Sequence, residues 1–237
     1  MGHFDFKRFS ITDDNCGMRL STDAVLLGSW VDVSHVENIV DAGCGSGVIA
    51  LMMAQRTEKA RIVGIDISEG ACKDARFNVC ASPWEDRIDI RCCDIMESFP
   101  RVESPLLIVS NPPFFIESLH SPDKSRFLAR HGDNFDVDAL IKIGGRLLKH
   151  PLDSLAFIAP VNRNDEIEFM LSLNRLTPYR TTVVYSKKGK SPLRKLWQVV
   201  MEPYHGESIH DTLCIRNPDN TYTDEYMELT SEFYLDK

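Results

Sequence analysis

A short apolar strand that runs into a glycine cluster and then into an apolar helix is the feature that most constrains this fold. The pattern predicts a strand over residues 36–42 and a helix over residues 48–55, and the segment between them reads Asp41-Ala42-Gly43-Cys44-Gly45-Ser46-Gly47. A glycine turn at the end of a strand lets a ligand approach the backbone and points the N–H groups of the next helix at it. The segment therefore predicts an α/β unit with a ligand site at the carboxyl end of its strand.

Strands and helices alternate along the rest of the chain. The pattern predicts helices over residues 68–81, 137–148 and 164–173, and strands over residues 61–67, 87–92, 106–110, 155–159, 181–186 and 196–201. Strands separated by helices form parallel βαβ units, and the last two segments, which resemble a hairpin, add an antiparallel edge. The predicted fold is a doubly wound α/β domain with a mostly parallel sheet.

Composition excludes several classes of protein. The 237 residues carry a formal charge of -8, which argues against a protein that coats nucleic acid through bulk charge, and 43% of them are hydrophobic, enough for a full core. The seven cysteines include no C-x-x-C pair, so neither a disulfide framework nor a zinc site fits. The chain has no apolar run of the roughly 18 residues that a membrane span needs, and residues 1–10 lack a signal-peptide core. We expect a cytoplasmic protein without a metal site or membrane contact.

Asp66 ends the second predicted strand, 19 residues after Gly47. A carboxylate there accepts hydrogen bonds from ribose hydroxyls, which indicates an adenosine-containing cofactor. The glycines also match the G-x-G-x-x-A form of a dinucleotide site at Gly45, Gly47 and Ala50, which leaves a nicotinamide oxidoreductase as an alternative. Asp41 favours a cationic ligand, because its carboxylate would repel a pyrophosphate. S-adenosylmethionine, which carries a sulfonium and an ammonium group, fits that charge.

The fourth predicted strand ends in Ser110-Asn111-Pro112-Pro113-Phe114-Phe115. In such a sheet this strand lies beside the first, where the strand order reverses and ligands bind. The prolines fix the backbone and remove donors, so the Asn111 side-chain oxygen and the Pro112 carbonyl can both accept from an amino group. Phe114 can stack on the ring that bears this group. Asn111, Pro112, Pro113 and Phe114 are therefore the predicted catalytic residues, and they would act by positioning an amine.

These segments resemble class I S-adenosylmethionine-dependent methyltransferases. Asp41 to Gly47 is similar to their first motif, Asp66 to their acidic second motif, and Cys92-Cys93-Asp94 to the segment that holds the adenine. The resemblance implies a seven-stranded Rossmann-like sheet and S-adenosylhomocysteine as product. It also implies a set of cofactor contacts, namely Asp41, Gly43, Gly45, Asp66, Asp94 and Asn111. Asp94 could instead be a helix N-cap.

The two ends of the chain resemble the bacterial tRNA (adenine-37-N6)-methyltransferase family, which modifies a valine tRNA beside its anticodon. The similar segments are Phe4-Asp5-Phe6-Lys7-Arg8-Phe9 and residues 16–30, 222–226 and 229–235. The resemblance implies that Thr22 and Asp23 lie near the methionine end of the cofactor. We expect residues 1–35 to form an N-terminal arm or cap over the cofactor site of a monomeric methyltransferase whose domain spans residues 36–237.

A tRNA partner requires local basic contacts. Residues 202–237 hold nine acids and two bases, so the rest of the chain is nearly neutral, and residues 180–195 hold six cations and no acid. A solvated charged surface is the ordinary meaning of such a run, but contact with phosphates is the alternative that we predict. The predicted RNA contacts are Lys124, Arg126, Arg130, Lys187, Lys188, Lys190, Arg194 and Lys195.

Other substrates remain open at the level of sequence. The tetrapeptide from Asn111 to Phe114 is typical of enzymes that methylate adenine N6, guanine N2 or a glutamine amide, so ribosomal RNA and a release factor are alternatives. Those families usually carry a larger extra domain. A non-catalytic cofactor-binding subunit is a third alternative, although such a subunit would have no need for two aligned acceptors.

Overall fold

The computed structural model describes residues 2–113 and 135–235. Its strands are β1 (His3–Asp5), β2 (Ser10–Thr12), β3 (Asn38–Ala42), β4 (Arg61–Asp66), β5 (Ile88–Cys92), β6 (Leu106–Ser110), β7 (Ser154–Pro160), β8 (Leu176–Tyr185), β9 (Pro192–Met201) and β10 (Ile209–Cys214). Its helices are α1 (Thr22–Trp30), α2 (Val48–Arg56), α3 (Glu69–Cys80), α4 (Val137–Leu147), α5 (Asn164–Leu173) and α6 (Asp224–Thr230), with 3₁₀ turns at Glu85–Arg87 and Val161–Arg163. None of the helices within these two ranges is both long and apolar enough to cross a membrane.

The described part of the chain forms one eight-stranded sheet in the order β10-β8-β9-β7-β6-β3-β4-β5, and β1 pairs with β2 separately. β9 runs antiparallel to β7 and β8, and the other neighbouring strands of the large sheet are parallel. The predicted fold class is confirmed. The sheet has one strand more than predicted because β10 adds beside β8, and the antiparallel strand lies inside the sheet. The strand order reverses at β3, so the carboxyl ends of β6, β3 and β4 meet at one edge.

Helix α1 shows why some elements escaped the sequence pattern. All residues from Ala24 to Trp30 are buried, so the helix has no polar face and no amphipathic period. A Cβ on Gly28 would lie 2.5 Å from the Met52 Sδ, so the close approach of α1 to α2 requires glycine at this position. The carboxyl end of α1 is held by Arg180, which donates to the Trp30 carbonyl at 2.7 Å and lies over its ring. Arg180 is therefore a structural cation.

Two apolar clusters cover the two faces of the sheet. One joins α1, α2 and α3 to the N-terminal segment and α6, and the other lies beneath α4 and α5. Phe157 and Trp197 stack in the second cluster with ring centroids 6.1 Å apart. Helices on both faces leave the strand ends as the places where loops can build a site.

The side chain of Asp153 joins the start of β6 to the end of α4. Its Oδ1 accepts from the N–H of Leu106 at 2.9 Å, and its Oδ2 accepts from the N–H groups of Lys149 and His150 at 2.8 Å each. The residue is only 1% exposed, so water cannot replace these bonds. Asp153 thus fixes the position of the strand that leads to Asn111.

We predict that Asp153→Ala lowers the free energy of unfolding by about 3 kcal/mol or more, because it leaves three backbone donors without an acceptor. Urea unfolding measures the change. The control is Asp89→Ala, which removes a carboxylate that is 60% exposed and paired with Arg91 on the surface. That ion pair contributes about 1 kcal/mol at most. Equal losses in the two variants would contradict the structural role of Asp153.

Candidate functional site

Three glycines shape the loop between β3 and α2. Gly43, Gly45 and Gly47 have φ values of +72°, +55° and +81°, a left-handed conformation that other residues rarely adopt. A Cβ on Gly47 would also lie 3.3 Å from the Cβ of Ala75 on α3. The glycine spacing in the sequence therefore reflects the backbone conformation of this loop and its close passage over α3.

The N–H groups of the loop are used inside the protein. Four of them donate to protein acceptors, Gly43 and Cys44 to the Ile65 carbonyl at 2.8 and 2.9 Å, Gly45 to Asp66 Oδ2 at 2.9 Å, and Gly47 to the Cys44 carbonyl at 2.8 Å. A pyrophosphate site needs such N–H groups free to bind phosphate oxygens. Because these four are occupied, the dinucleotide alternative loses its main binding feature.

Asp66 is held by backbone donors from both sides. Its Oδ2 accepts from Gly45 and its Oδ1 accepts from the N–H of Ser68, both at 2.9 Å. Each oxygen keeps a further lone pair for a ligand hydroxyl. The next residue, Ile67, is 71% exposed beside this carboxylate, and the sequence pattern did not mark it as a candidate cofactor contact. A large aliphatic residue directly after the strand acid is the signal that could have identified it.

Asp41 is fully buried below the glycine loop. Its Oδ2 accepts from the N–H of Ala50 in the first turn of α2 at 3.0 Å, and its Oδ1 has no hydrogen-bond partner among residues 2–113 and 135–235. Burial raises the pKa of Asp41 to about 7, and the nearby Asp66 carboxylate adds to the increase. An acid with this pKa changes its charge near neutral pH.

Asn111 follows β6 and lies beside the end of β3. Ser110 Oγ donates to the Ala42 carbonyl at 2.6 Å, which ties the two strand ends together. Asn111 Nδ2 donates to Ser21 Oγ at 3.4 Å, whereas Asn111 Oδ1 is buried and accepts no hydrogen bond from any described residue. A buried acceptor of this kind fits a ligand that brings its own N–H donor. Pro112 and Pro113 follow Asn111, and Phe114 lies outside the described residues.

The amino end of α1 reaches the same edge. Ser21 is its N-cap and accepts from the N–H of Ala24 at 3.2 Å, which places Thr22 and Asp23 in the first turn. Asp23 Oδ2 accepts from Arg194 Nε at 2.8 Å in a largely covered ion pair. The structure thus joins a residue predicted to bind cofactor to one predicted to bind RNA.

Asp94 lies next to Asp66 after β5. The N–H of Cys93 donates to the Asp66 carbonyl at 3.1 Å, and Asp94 Oδ1 accepts from the N–H of Met96 at 2.8 Å. The carboxylate therefore stabilises a turn, and the segment that follows is not a helix. The N-cap alternative is corrected to a turn cap, while the cofactor role stays a prediction.

The predicted RNA-contacting cations fall into different environments. Lys188 and Lys190 are exposed in the turn between β8 and β9, and Lys187 donates to Asn220 Oδ1 at 2.9 Å. This turn lies at the edge that carries Asn111, because β8 is parallel to β6. Lys124, Arg126 and Arg130 lie outside the described residues.

Lys195 differs from the other cations of this run. Its side chain is only 13% exposed, its Nζ lies 3.7 Å from the centroid of the Trp197 ring, and it forms an ion pair with Glu168 at 3.5 Å. These contacts turn Lys195 toward α5 and away from a solvent-facing surface. We therefore withdraw Lys195 as an RNA contact.

A known protein-domain family matches the segment of the chain that carries most of the residues at this edge. Residues 16–131 match the model of the methyltransferase small domain. A tRNA1(Val) (adenine(37)-N6)-methyltransferase from Phocaeicola vulgatus is 40% identical over 233 residues, which cover 98% of this chain and 97% of that protein. A protein of the same name from Tolumonas auensis is 38% identical over 237 residues, covering 99% and 98%.

Solved structures share the fold at much lower identity. A predicted O-methyltransferase from Agrobacterium tumefaciens aligns with a TM-score of 0.66 at 18% identity, over 89% of this chain and 96% of that one. A geranyl diphosphate C-methyltransferase from Streptomyces coelicolor, solved with S-adenosylhomocysteine, aligns with a TM-score of 0.54 at 13% identity, over 84% and 91%. These likenesses establish a methyltransferase-like architecture.

We predict that the burial of Asp41 makes stability depend on pH. Its folded pKa of about 7 lies above the ordinary value of about 3.9, so the folded state binds the extra proton between these values. The quantity to measure is the unfolding free energy of the wild type minus that of Asp41→Asn. This difference should fall by roughly 4 kcal/mol as the pH rises from about 4 to about 7, and it should stay constant at higher pH. Urea titrations of both proteins at several pH values test this, and a difference independent of pH would refute it.

Proposed function

This chain belongs to the tRNA1(Val) (adenine(37)-N6)-methyltransferase family, and from that membership we propose that it methylates the N6 amino group of adenine 37 in the anticodon loop of a valine tRNA. The observation that carries the proposal is the Oδ1 of Asn111 at the end of β6, which is buried and has no hydrogen-bond partner within residues 2–113 and 135–235. An exocyclic amino group supplies the N–H donor that this oxygen lacks.

S-adenosylmethionine fits the donors and acceptors of the site. The carboxylate of Asp66 is held with free lone pairs that can accept from the ribose hydroxyls, and the exposed Ile67 can cover a face of the adenine. Four occupied N–H groups in the glycine loop suit a ligand without phosphate. We assign cofactor contacts to Gly43, Gly45, Asp94, Thr22 and Asp23 on their position around this edge, and Asp41, buried below the loop, stays in the proposed set.

The cofactor supplies an activated methyl group when it is bound. The chain's part in the reaction is to hold the acceptor amine, with Asn111 Oδ1 and the Pro112 carbonyl as its two acceptors. Two acceptors in the plane of an amino group fix its orientation and leave the nitrogen lone pair pointing out of that plane. We propose no general base, because a proton can leave to water after methyl transfer.

RNA recognition would combine an unpaired base with contacts to the backbone beside it. Lys188 and Lys190 in the β8–β9 turn are exposed at the same edge as Asn111, where phosphates next to the target base could reach them. An adenine in a loop is already unpaired, so its placement in the site costs less than extrusion from a duplex. We retain Lys187, Arg194, Lys124, Arg126 and Arg130 as further proposed contacts.

The names of the relatives favour tRNA adenine over ribosomal RNA guanine, a release-factor glutamine and a non-catalytic role. The monomeric state also stays a proposal. A tRNA substrate is consistent with the cytoplasm as its location. The division into an arm over residues 1–35 and a domain over residues 36–237 also stays a proposal.

We predict that the protein and labelled S-adenosylmethionine convert adenine to N6-methyladenosine in tRNA from cells that lack this gene. Nucleoside mass spectrometry identifies the product, and a synthetic valine tRNA anticodon arm with guanine at position 37 is the matched control.

Asn111→Ala should reduce turnover by about 100-fold or more, while calorimetry should show that S-adenosylhomocysteine still binds. Label in ribosomal RNA or protein alone, or normal turnover by the variant, would overturn the proposal.

We predict that Lys188→Ala combined with Lys190→Ala raises the KM for tRNA and lowers the salt dependence of tRNA binding. Each lost phosphate contact should reduce the slope of log K against log salt by about 1. The control is Lys59→Ala combined with Lys149→Ala, which removes two exposed lysines at the opposite edge of the sheet. If both double variants bind tRNA with the same slope, the β8–β9 turn does not contact the RNA.

A further inference from the structure

The carboxylate of Asp74 on α3 is bound entirely by the N-terminal segment. Its Oδ2 accepts from the N–H groups of Asn15 and Cys16 at 2.7 and 2.8 Å, and its Oδ1 accepts from Asn15 Nδ2 at 2.6 Å. The residue is 4% exposed, and no ion pair to it occurs within residues 2–113 and 135–235. Burial of a carboxylate without a nearby cation costs free energy. The three hydrogen bonds that compensate for this cost therefore indicate that Asp74 has a specific role.

Asn78 extends this contact one turn further along α3. Its Oδ1 accepts from the N–H of Thr12 at 2.9 Å, and its Nδ2 donates to the carbonyls of Thr12 and Ser46, also at 2.9 Å. Ser46 belongs to the glycine loop, so one amide side chain links the N-terminal segment to that loop. Asp74 and Asn78 are four residues apart and therefore lie on the same face of the helix.

Close packing confines the path of the segment. A Cβ on Gly70 would lie 2.5 Å from the Asn15 carbonyl oxygen, so the segment passes directly over the amino end of α3. A Cβ on Gly45 would lie 3.5 Å from Cys16 Sγ, which puts this thiol in contact with the glycine loop. Residues 12–16 therefore run from Asn78 to the loop beside Asp66.

We propose that residues 12–16 form a wall of the cofactor pocket and that Asp74 and Asn78 are positioning residues that hold this wall in place. The inference rests on the proposed function in that the pocket must bind S-adenosylmethionine or its product. Neither side chain needs to touch the cofactor. Asp74 acts through Asn15 and the backbone of Cys16, and Asn78 acts through the backbone of Thr12 and of Ser46 in the glycine loop.

Loss of either residue should weaken cofactor binding without slowing the chemical step. A detached wall reduces the fraction of molecules that can bind, and the apparent Kd increases by the inverse of that fraction. Asn111 and Pro112, which position the substrate amine, directly follow β6, and within the described residues no hydrogen bond of Asp74 or Asn78 involves them. We expect a Kd for S-adenosylhomocysteine at least about 10-fold higher in Asp74→Ala and in Asn78→Ala, with kcat at saturating cofactor and the KM for tRNA little changed.

Calorimetric titration with S-adenosylhomocysteine measures these Kd values in the full-length protein. Asp89→Ala is the matched control, because it removes a surface aspartate on β5 that bonds to Arg91.

A second measurement uses the wild type alone and needs no variant. In the wild type, S-adenosylhomocysteine should slow the alkylation of Cys16 by N-ethylmaleimide, followed by peptide mass spectrometry, while the exposed Cys80 reacts at an unchanged rate. Burial raises the pKa of Cys16, so the reaction is run at about pH 8.5 to provide thiolate.

The outcomes separate the two proposals. If the wild type does not bind S-adenosylhomocysteine, the proposed cofactor is wrong. If it binds but Cys16 is alkylated equally fast with and without it, residues 12–16 do not border the pocket and the inference is overturned. Should the two variants fail to fold, Cys16 protection in the wild type decides alone. Folded variants with an unchanged Kd would exclude Asp74 and Asn78 as positioning residues.

Discussion

The parallel pairing of β6, β3 and β4 is the constraint on which the site depends. It brings Asn111, the glycine loop and Asp66 to one edge, although they are separated by up to about 70 residues in the chain. Two further hydrogen bonds then lock the loops to one another, from Gly45 to Asp66 and from Ser110 to the Ala42 carbonyl. The acceptor proposed for the substrate amine and the carboxylate proposed for the ribose are both placed by these strand ends.

At this edge most of the hydrogen-bond donors of the glycine loop are already bonded within the protein, whereas two side-chain acceptor oxygens in the described part of the chain are not. The N–H groups of the glycine loop are mostly consumed within the protein, whereas acceptor oxygens of Asn111 and Asp41 are buried without a partner among the described residues. Four occupied N–H groups beside these unpaired acceptors disfavour phosphate and favour ligands with N–H groups or positive charge. This asymmetry connects the family assignment to the chemistry, because an amino group and a sulfonium cofactor both meet it.

Sequence patterns identified the residues that function and local structure both require. Gly45 and Gly47 adopt a left-handed backbone that favours glycine, and β4, which ends at Asp66, is mostly buried and therefore apolar. The sequence pattern identified both the glycine loop and this strand. Sequence patterns did not show the surroundings of single charged side chains. Lys195 lies in a run of cations, yet it packs on Trp197 and pairs with Glu168, and Arg194 pairs with Asp23 from a segment about 170 residues away. Charge in a sequence does not reveal which side of a strand faces solvent.

The sequence by itself determined the alternation of β3 to β9 with α2 to α5, the glycine loop, the acid at the end of β4 and the tetrapeptide after β6, because each depends on local backbone preferences or on a compact motif. Only the tertiary structure decided which of the loop N–H groups are already occupied, that β9 runs antiparallel inside the sheet, and that Asp74 and Asn78 hold the N-terminal segment over the glycine loop. Those facts are contacts between residues far apart in the chain. Their partners are set by packing, which no local pattern of residues encodes.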